Sequence, residues 1–309
     1  MKIVFMGTPA FAVPSLQALH DAGHEIGYVI TQPDRAKGRG KKIEFMPVKA
    51  LALDLGIPVL QPEKVKGCDA LLEKLRAYAP DVIVVVAYGM ILPAELISIP
   101  QLGCINVHAS LLPRHRGAAP IQRAILAGDR VSGVTIMYIE EALDAGDMLA
   151  KEEVEIGERN AAQLSEVLSQ RGAALLLKTL PHLADGTIHP EKQNEEEATY
   201  APMLSKRDGL MDFSKTPEEL VHMVRGLDPW PGAYTYFEGG IFKIWEARAC
   251  DTPCEQPPGT VVRADEEGIF IAAGGRLLCA SVVQVPGKKR LSVKAFLLGH
   301  RIADGTVLG

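Results

Sequence analysis

Asn106 and His108 stand two apart near the start of the stretch 103–117, Gly-Cys-Ile-Asn-Val-His-Ala-Ser-Leu-Leu-Pro-Arg-His-Arg-Gly. In a β-strand, residues i and i+2 share a face. An amide donor and an imidazole would then enter the same space just before a loop punctuated by Pro113 and Gly117. Asp144 follows in Glu-Ala-Leu-Asp-Ala-Gly-Asp. Together the three could move an acyl group: Asn106 as a donor to an oxyanion, His108 as a proton carrier, Asp144 as the group that orients the ring. Taken singly, Asn106 reads more readily as a strand-end cap and Asp144 as a turn former.

The elements that must position them follow from local patterning. Residues 2–6 read as a strand, 7–9 as a turn, 13–21 as a helix with Pro14 in its first turn, and 27–31 as a second strand. Helical patterns follow at 48–55 and 70–78. The β-branched run at 81–87 predicts a strand covered on both faces. Strands at 104–107 and 133–139, with a helix at 119–127 between them, continue the alternation. This order predicts a Rossmann-like, doubly wound, mainly parallel α/β sheet, whose ligands bind beyond the carboxyl ends of the strands. Asn106 and His108 fall at such an end. Gly7-Thr8-Pro9 lacks the spacing of a dinucleotide fingerprint.

A long helical pattern spans 160–183. Residues 188–206, with Pro190 and Glu195-Glu196-Glu197, read as a linker. Beyond it, Thr216 caps a short helix that begins at Pro217. Short strands at 234–237, 242–247, 260–263, 269–272 and 277–285 then predict a small OB-like β-barrel. The expected division is 1–187 catalytic, 188–206 linker and 207–309 barrel.

The chain has 309 residues and a formal net charge of −5, which removes a global positive field for nucleic acid. Its five cysteines, Cys68, Cys104, Cys250, Cys254 and Cys279, are scattered, which argues against a zinc site and suits a reducing, cytoplasmic setting. No metal is expected. The N-terminal apolar run is shorter than a signal-peptide core, and the longest apolar run, 82–92, is too short to span a bilayer.

Asn106-Val107-His108, Ser110-Leu111-Leu112-Pro113, Arg116-Gly117 and Asp144-Ala145-Gly146-Asp147 resemble the formyltransferase family that uses 10-formyltetrahydrofolate. Gly7-Thr8-Pro9, Thr31-Gln32-Pro33-Asp34-Arg35, Gly38-Arg39-Gly40-Lys41-Lys42, Val86-Ala87-Tyr88-Gly89, Leu204-Ser205-Lys206 and Pro229-Trp230-Pro231-Gly232-Ala233 resemble the branch acting on methionyl-initiator tRNA. The resemblance runs the length of the chain. His115, Ala145 and Asp228 stand where that pattern often has a large aromatic, a threonine and an asparagine.

The resemblance implies formyl transfer from the folate N10 to the α-amino group of methionyl-initiator tRNA. It implies folate as co-substrate, with Asn106, His108 and Asp144 in the chemistry. It places folate at Tyr88, Gly89, Ile91 and Leu92 and at Ser110, Leu111, Leu112 and Pro113, two apolar loops following strands. The basic stretch 34–42, with Arg35, Lys37, Arg39, Lys41 and Lys42, is the strongest cationic cluster and a candidate for phosphate contact. In the barrel, residues 207–309 are net −1, and Lys288, Lys289 and Arg290 form the clear positive patch. A monomer is expected. The rivals are a formyltransferase acting on a small amine such as an amino sugar nucleotide, a folate-dependent hydrolase, and a non-catalytic RNA binder.

Overall fold

The computed structural model describes residues 1–34, 36–37, 42–43 and 45–309, the pairs 36–37 and 42–43 as backbone. Two compact units emerge, each assembled from three segments. The first comprises Met1–Pro120, Val131–Glu155 and Ser165–Ala201; the second comprises Ile121–Arg130, Ile156–Leu164 and Pro202–Gly309. Residues 188–201, which read as linker, lie in the first unit.

The strands of the first unit are β1 (Lys2–Gly7), β2 (Glu25–Ile30), the short pair β3 (Ala36–Lys37) and β4 (Lys42–Ile43), β5 (Val59–Leu60), β6 (Val82–Val86), β7 (Cys104–His108), β8 (Val131–Tyr138) and β9 (Met148–Glu155). Between them run α1 (Val13–Asp21), α2 (Pro47–Asp54), α3 (Asp69–Tyr78) and α4 (Ala94–Ile97); α5 (Pro120–Leu126) falls in the second unit from Ile121 onward, and α6 (Ala161–Ala184), after β9, belongs to the first from Ser165 onward. The main sheet has the order β5-β2-β1-β6-β7-β8-β9. Its first five strands are parallel, and β8 and β9 turn antiparallel.

Every residue of β6 is buried, as its β-branched run requires of a central strand. The sheet is covered on both faces. On one, Leu71, Leu72 and Leu75 of α3 pack with Val4, Met6, Ile83, Val85 and Cys104. On the other, α6 approaches so closely that a Cβ on Gly172 would lie 2.7 Å from Val107 Cγ1. Strand alternation puts Asn106 and His108 on the face of Cys104, opposite Val107.

β9 was not expected from sequence. Leu149 to Glu155 reads Leu-Ala-Lys-Glu-Glu-Val-Glu, and its charges hide the strand. Such charge suits an edge strand, because it discourages pairing with another chain.

In the second unit, α7 (Pro217–Gly226) is followed by β10 (Ala233–Phe237), β11 (Gly240–Pro253), β12 (Val261–Asp265), β13 (Gly268–Ala273), β14 (Arg276–Gln284), β15 (Leu291–Ser292) and α8 (Val293–Leu297). The antiparallel ladder runs β10-β11-β14-β13-β12, with β15 on β14. Register shifts after Ile244, Glu246 and Cys250 interrupt the pairing of β11 with β14, the kind of bulge that bends a strand. The five predicted short strands are all present. Thr216 caps α7 as expected, and Glu219 completes a reciprocal capping box.

Candidate active site

β7 lies between parallel β6 and antiparallel β8, with Asn106 opposite Met137 and His108 opposite Thr135. The loop leaving β7 is pinned from beneath by Thr135. Its hydroxyl donates to Ser110 O at 2.7 Å and accepts from Leu112 N at 3.2 Å. Ser110 Oγ in turn donates to Arg114 O at 2.6 Å. From the other side Thr199 accepts from His115 N at 2.9 Å, and its carbonyl accepts from Arg116 N at 2.8 Å.

The structure brings His108 and Asp144 together. His108 is 5% exposed, and its Nδ1 lies 3.7 Å from Asp144 Oδ2, an ion-pair distance rather than a hydrogen bond. Its Nε2 lies 3.0 Å from His115 O. A carbonyl oxygen only accepts, so Nε2 carries the proton of that contact. Asp144 Oδ2 also accepts from Gly117 N at 2.8 Å. Asn106 is half-buried, and no hydrogen bond ties its side-chain amide to another described residue.

Three non-glycine residues with positive φ surround this space: Ala87 (+46°), His115 (+59°) and Asp144 (+48°). They lie in the loops after β6, β7 and β8. Backbone of this kind costs about 1–3 kcal/mol per residue and clusters where a site over-determines it. Gly117, at φ +117°, meets a tighter limit still, because an added Cβ would sit 2.9 Å from Ala201 O.

The two loops assigned to folate divide between surface and core. On the loop after β6, Ile91 is 89% exposed, while Tyr88 and Leu92 are buried in the core with Met6, Ile30 and Val85. Burial pushes the Tyr88 phenol up to about 12. Tyr88 presents a carbonyl that accepts from Gln32 Nε2 at 2.9 Å, and Gly89 approaches the same Gln32 amide. On the loop after β7, Leu112 packs with Met137 and Met148, Leu111 stays half-buried, and Ser110 and Pro113 are buried. Exposed Ile91 and half-buried Leu111, on loops leaving adjacent strands, offer apolar surface against which a flat aromatic ring could lie.

The base of the basic stretch is held by Lys49, which bonds to Asp34 and donates to Gln61 Oε1 at 2.6 Å; Gln61 Nε2 donates to Gln32 O at 2.9 Å. The Lys49 hydrogen bond holds the Asp34 carboxyl below its usual range. Arg35, Arg39 and Lys41, and the side chains of Lys37 and Lys42, lie outside the described residues. In the second unit Lys288 and Lys289 are exposed. Arg290 is bound to Asp228 through two contacts of 3.1 and 2.7 Å, and its guanidinium carbon sits 3.5 Å over the Trp245 ring. Asp228, one of the departures from the family pattern, thus gives Arg290 a structural partner.

Thr135, Gln193 and Thr199 were missed from sequence. Thr135 could be found only from the β7–β8 register, and Gln193 and Thr199 sit among polar residues that read as linker. Among the described residues no group of three or more His, Cys, Asp or Glu could hold a metal ion.

Residues 1–182 match the family described as Formyl transferase, and residues 203–301 match the Formyl transferase C-terminal domain. The chain is similar to the methionyl-tRNA formyltransferase of Bacillus subtilis (strain 168), 50% identical over 310 residues that cover 100% of this chain and 98% of that protein. Among solved structures it is similar to an N-formyltransferase from Helicobacter canadensis in complex with folinic acid and dTDP-3-aminofucose (TM-score 0.69, 19% identity, 91% of this chain and 98% of that one). It is also similar to HypX from Aquifex aeolicus in complex with tetrahydrofolic acid (TM-score 0.62, 19% identity). That match covers 97% of this chain and 47% of HypX, so the chain spans about half of HypX. At these identities the likeness to solved structures is one of fold.

Proposed function

The chain belongs to the formyl transferase family, and we propose that it carries the formyl group of 10-formyltetrahydrofolate to the α-amino group of methionyl-initiator tRNA. The observation that carries this reading is the 50% identity to a methionyl-tRNA formyltransferase along all of this chain and 98% of that one. The likeness to an enzyme crystallised with an aminofucose nucleotide, at 19% identity, does not favour a small-amine acceptor over it.

The folate supplies the formyl carbon, and its N10 leaves with a proton. Asn106 donates its amide N–H to the formyl oxygen as negative charge gathers there, a contribution of about 3–4 kcal/mol for one such donor. His108 acts beside it. The N–H that reaches His115 O at 3.0 Å can turn to the formyl oxygen, since both are acceptors. Asp144 keeps the ring oriented through the carboxylate that Gly117 N holds. The amine attacks the formyl carbon, its lone pair forming the new C–N bond while the carbonyl pair moves to oxygen. The bond to N10 then breaks, and the proton lost by the amine ends on N10.

Ile91, Leu92, Ser110, Leu111, Leu112 and Pro113, with the backbone of Tyr88 and Gly89, hold the folate. Arg35, Lys37, Arg39, Lys41 and Lys42 meet tRNA phosphates near the acceptor end, and Lys288, Lys289 and Arg290 add contacts from residues 207–309. Residues 1–187 supply the reacting groups, and 188–201 pack against them before the chain passes on to 207–309. The enzyme works as a cytoplasmic monomer without a metal. No described helix is long and apolar enough to cross a membrane.

The test is a transfer assay with 10-formyltetrahydrofolate and methionyl-initiator tRNA, with free methionine as the second acceptor. The expected product is formyl-methionyl-tRNA alone. Folate binding with no product on either acceptor would overturn the reading.

A further inference from the structure

Between residues 189 and 197 every residue is exposed except Gln193. Its amide is fully used. Gln193 Nε2 donates to Asp144 O and to Gly146 O, each at 2.8 Å, and its Oε1 accepts from Arg116 Nε at 2.9 Å. Arg116 is 2% exposed and fixed in turn, its Nη1 and Nη2 bound to the two oxygens of Glu195 at 2.9 and 2.8 Å. The segment carrying Gln193 is itself anchored at both ends. Glu191 and Met148 exchange two backbone hydrogen bonds of 2.8 Å, and Ala201 N donates to Arg116 O at 2.7 Å.

Asp144 needs such support. Its φ of +48° is uncommon for a side-chain-bearing residue and persists only where neighbours over-determine it. Gly117 N fixes the carboxylate end of Asp144, and Gln193 fixes its carbonyl and that of Gly146. A side amide that grips the backbone on both sides of Ala145 sets where the carboxylate stands against His108.

We propose that Gln193 is a positioning residue for formyl transfer, acting through the Asp144 turn; this rests on the formyl-transfer reading. A merely structural Gln193 would dock the 188–201 segment and leave the chemistry alone. The two roles separate by substitution. Gln193→Glu keeps the length and the acceptor for Arg116 but sets carboxylate oxygens against the carbonyls of Asp144 and Gly146. Gln193→Ala removes every contact.

The experiment measures kcat, KM for both substrates and thermal stability in the full chain, with the His108 signals of ¹⁵N-histidine-labelled protein read by NMR. The expected result is a kcat about tenfold or more lower in both variants, the scale of a sub-ångström misplacement, with each KM within about threefold of the parent. The His108 ring signals shift in both. Gln193→Glu retaining more than half of parental kcat, with unmoved His108 signals, would overturn the proposal. So would a loss of kcat that simply follows a loss of folded protein. A parent that transfers no formyl group, yet shows the His108 shift on substitution, would sink the formyl-transfer reading while leaving the positioning geometry intact.

Discussion

Asn106 contributes an amide that no described partner ties up, whereas His108 and Asp144 are both held by the backbone of the loop at 115–117. Replacing Asn106 with Ala should lower turnover by about 100-fold or more while tRNA binding holds, the scale of one lost oxyanion donor. Asp144→Ala should act similarly, by freeing the His108 ring. Steady-state rates and tRNA binding measured on the same preparations check both, and near-normal turnover would remove the residue from the chemistry. The two-residue spacing of Asn106 and His108 was legible because strand alternation is a strict rule. The partnership of Asp144 was not legible from spacing, since its 3.7 Å approach depends on a left-handed turn and on the backbone amide of Gly117, set by the fold's wiring rather than by its pattern. Gln193 left no trace, because an amide between Lys192 and Asn194 looks like solvent-facing chain until its partners are known.

At the level of elements, hydrophobic periodicity located four of the five parallel strands and the main helices, since burial on both faces forces apolar runs such as 82–86; the two-residue β5 is too short to carry a pattern. It failed at β9, where an edge position admits Lys151, Glu152, Glu153 and Glu155. It also failed for 188–201, whose contacts with Met148 and with residues 113–119 are made chiefly by backbone groups that any sequence possesses. The start of α7 was legible at Thr216 and Pro217, and the structure adds Glu219: Thr216 N donates to Glu219 Oε2 at 2.9 Å and Glu219 N donates back to Thr216 Oγ1 at 3.3 Å. Thr216→Ala should cost about 1 kcal/mol of stability. Urea unfolding checks it, and an unchanged midpoint would deny the cap its role. The turn at Gly117 sets a harsher condition. Gly117→Ala forces a side chain into φ +117° and against Ala201 O, so transfer should fall sharply in a protein that still folds, with catalysis and circular dichroism read together.

For the whole molecule, a net charge of −5 means that tRNA is met by local patches against a repelling background. Lys288 and Lys289 are exposed, and replacing both with Ala should make the log–log dependence of tRNA affinity on salt less steep by about 2, one step per phosphate contact. An unchanged slope would take that patch out of the interface. Acid acts on the fold through its bonded carboxylates. Hydrogen bonds from Lys49, Ser205 and the Thr216 backbone hold Asp34, Asp208 and Glu219 below their usual range. A depressed folded-state pKa stabilises the native form above the unfolded value and is lost as pH falls through the folded one. The melting temperature should therefore hold near neutrality and drop below about pH 4. A flat profile to about pH 3 would contradict it. The anchoring of residues 191–201 also sets a schedule. The ribosome releases Asn106, His108 and Asp144 well before it releases Gln193 and Thr199, so a nascent chain halted at Thr187 holds all three groups but lacks Gln193 and Glu195, which bind the Arg116 side chain, and with Gln193 the amide that holds the Asp144 carbonyl. The following fourteen residues bring those contacts, and a fragment meant to keep them must extend to Ala201.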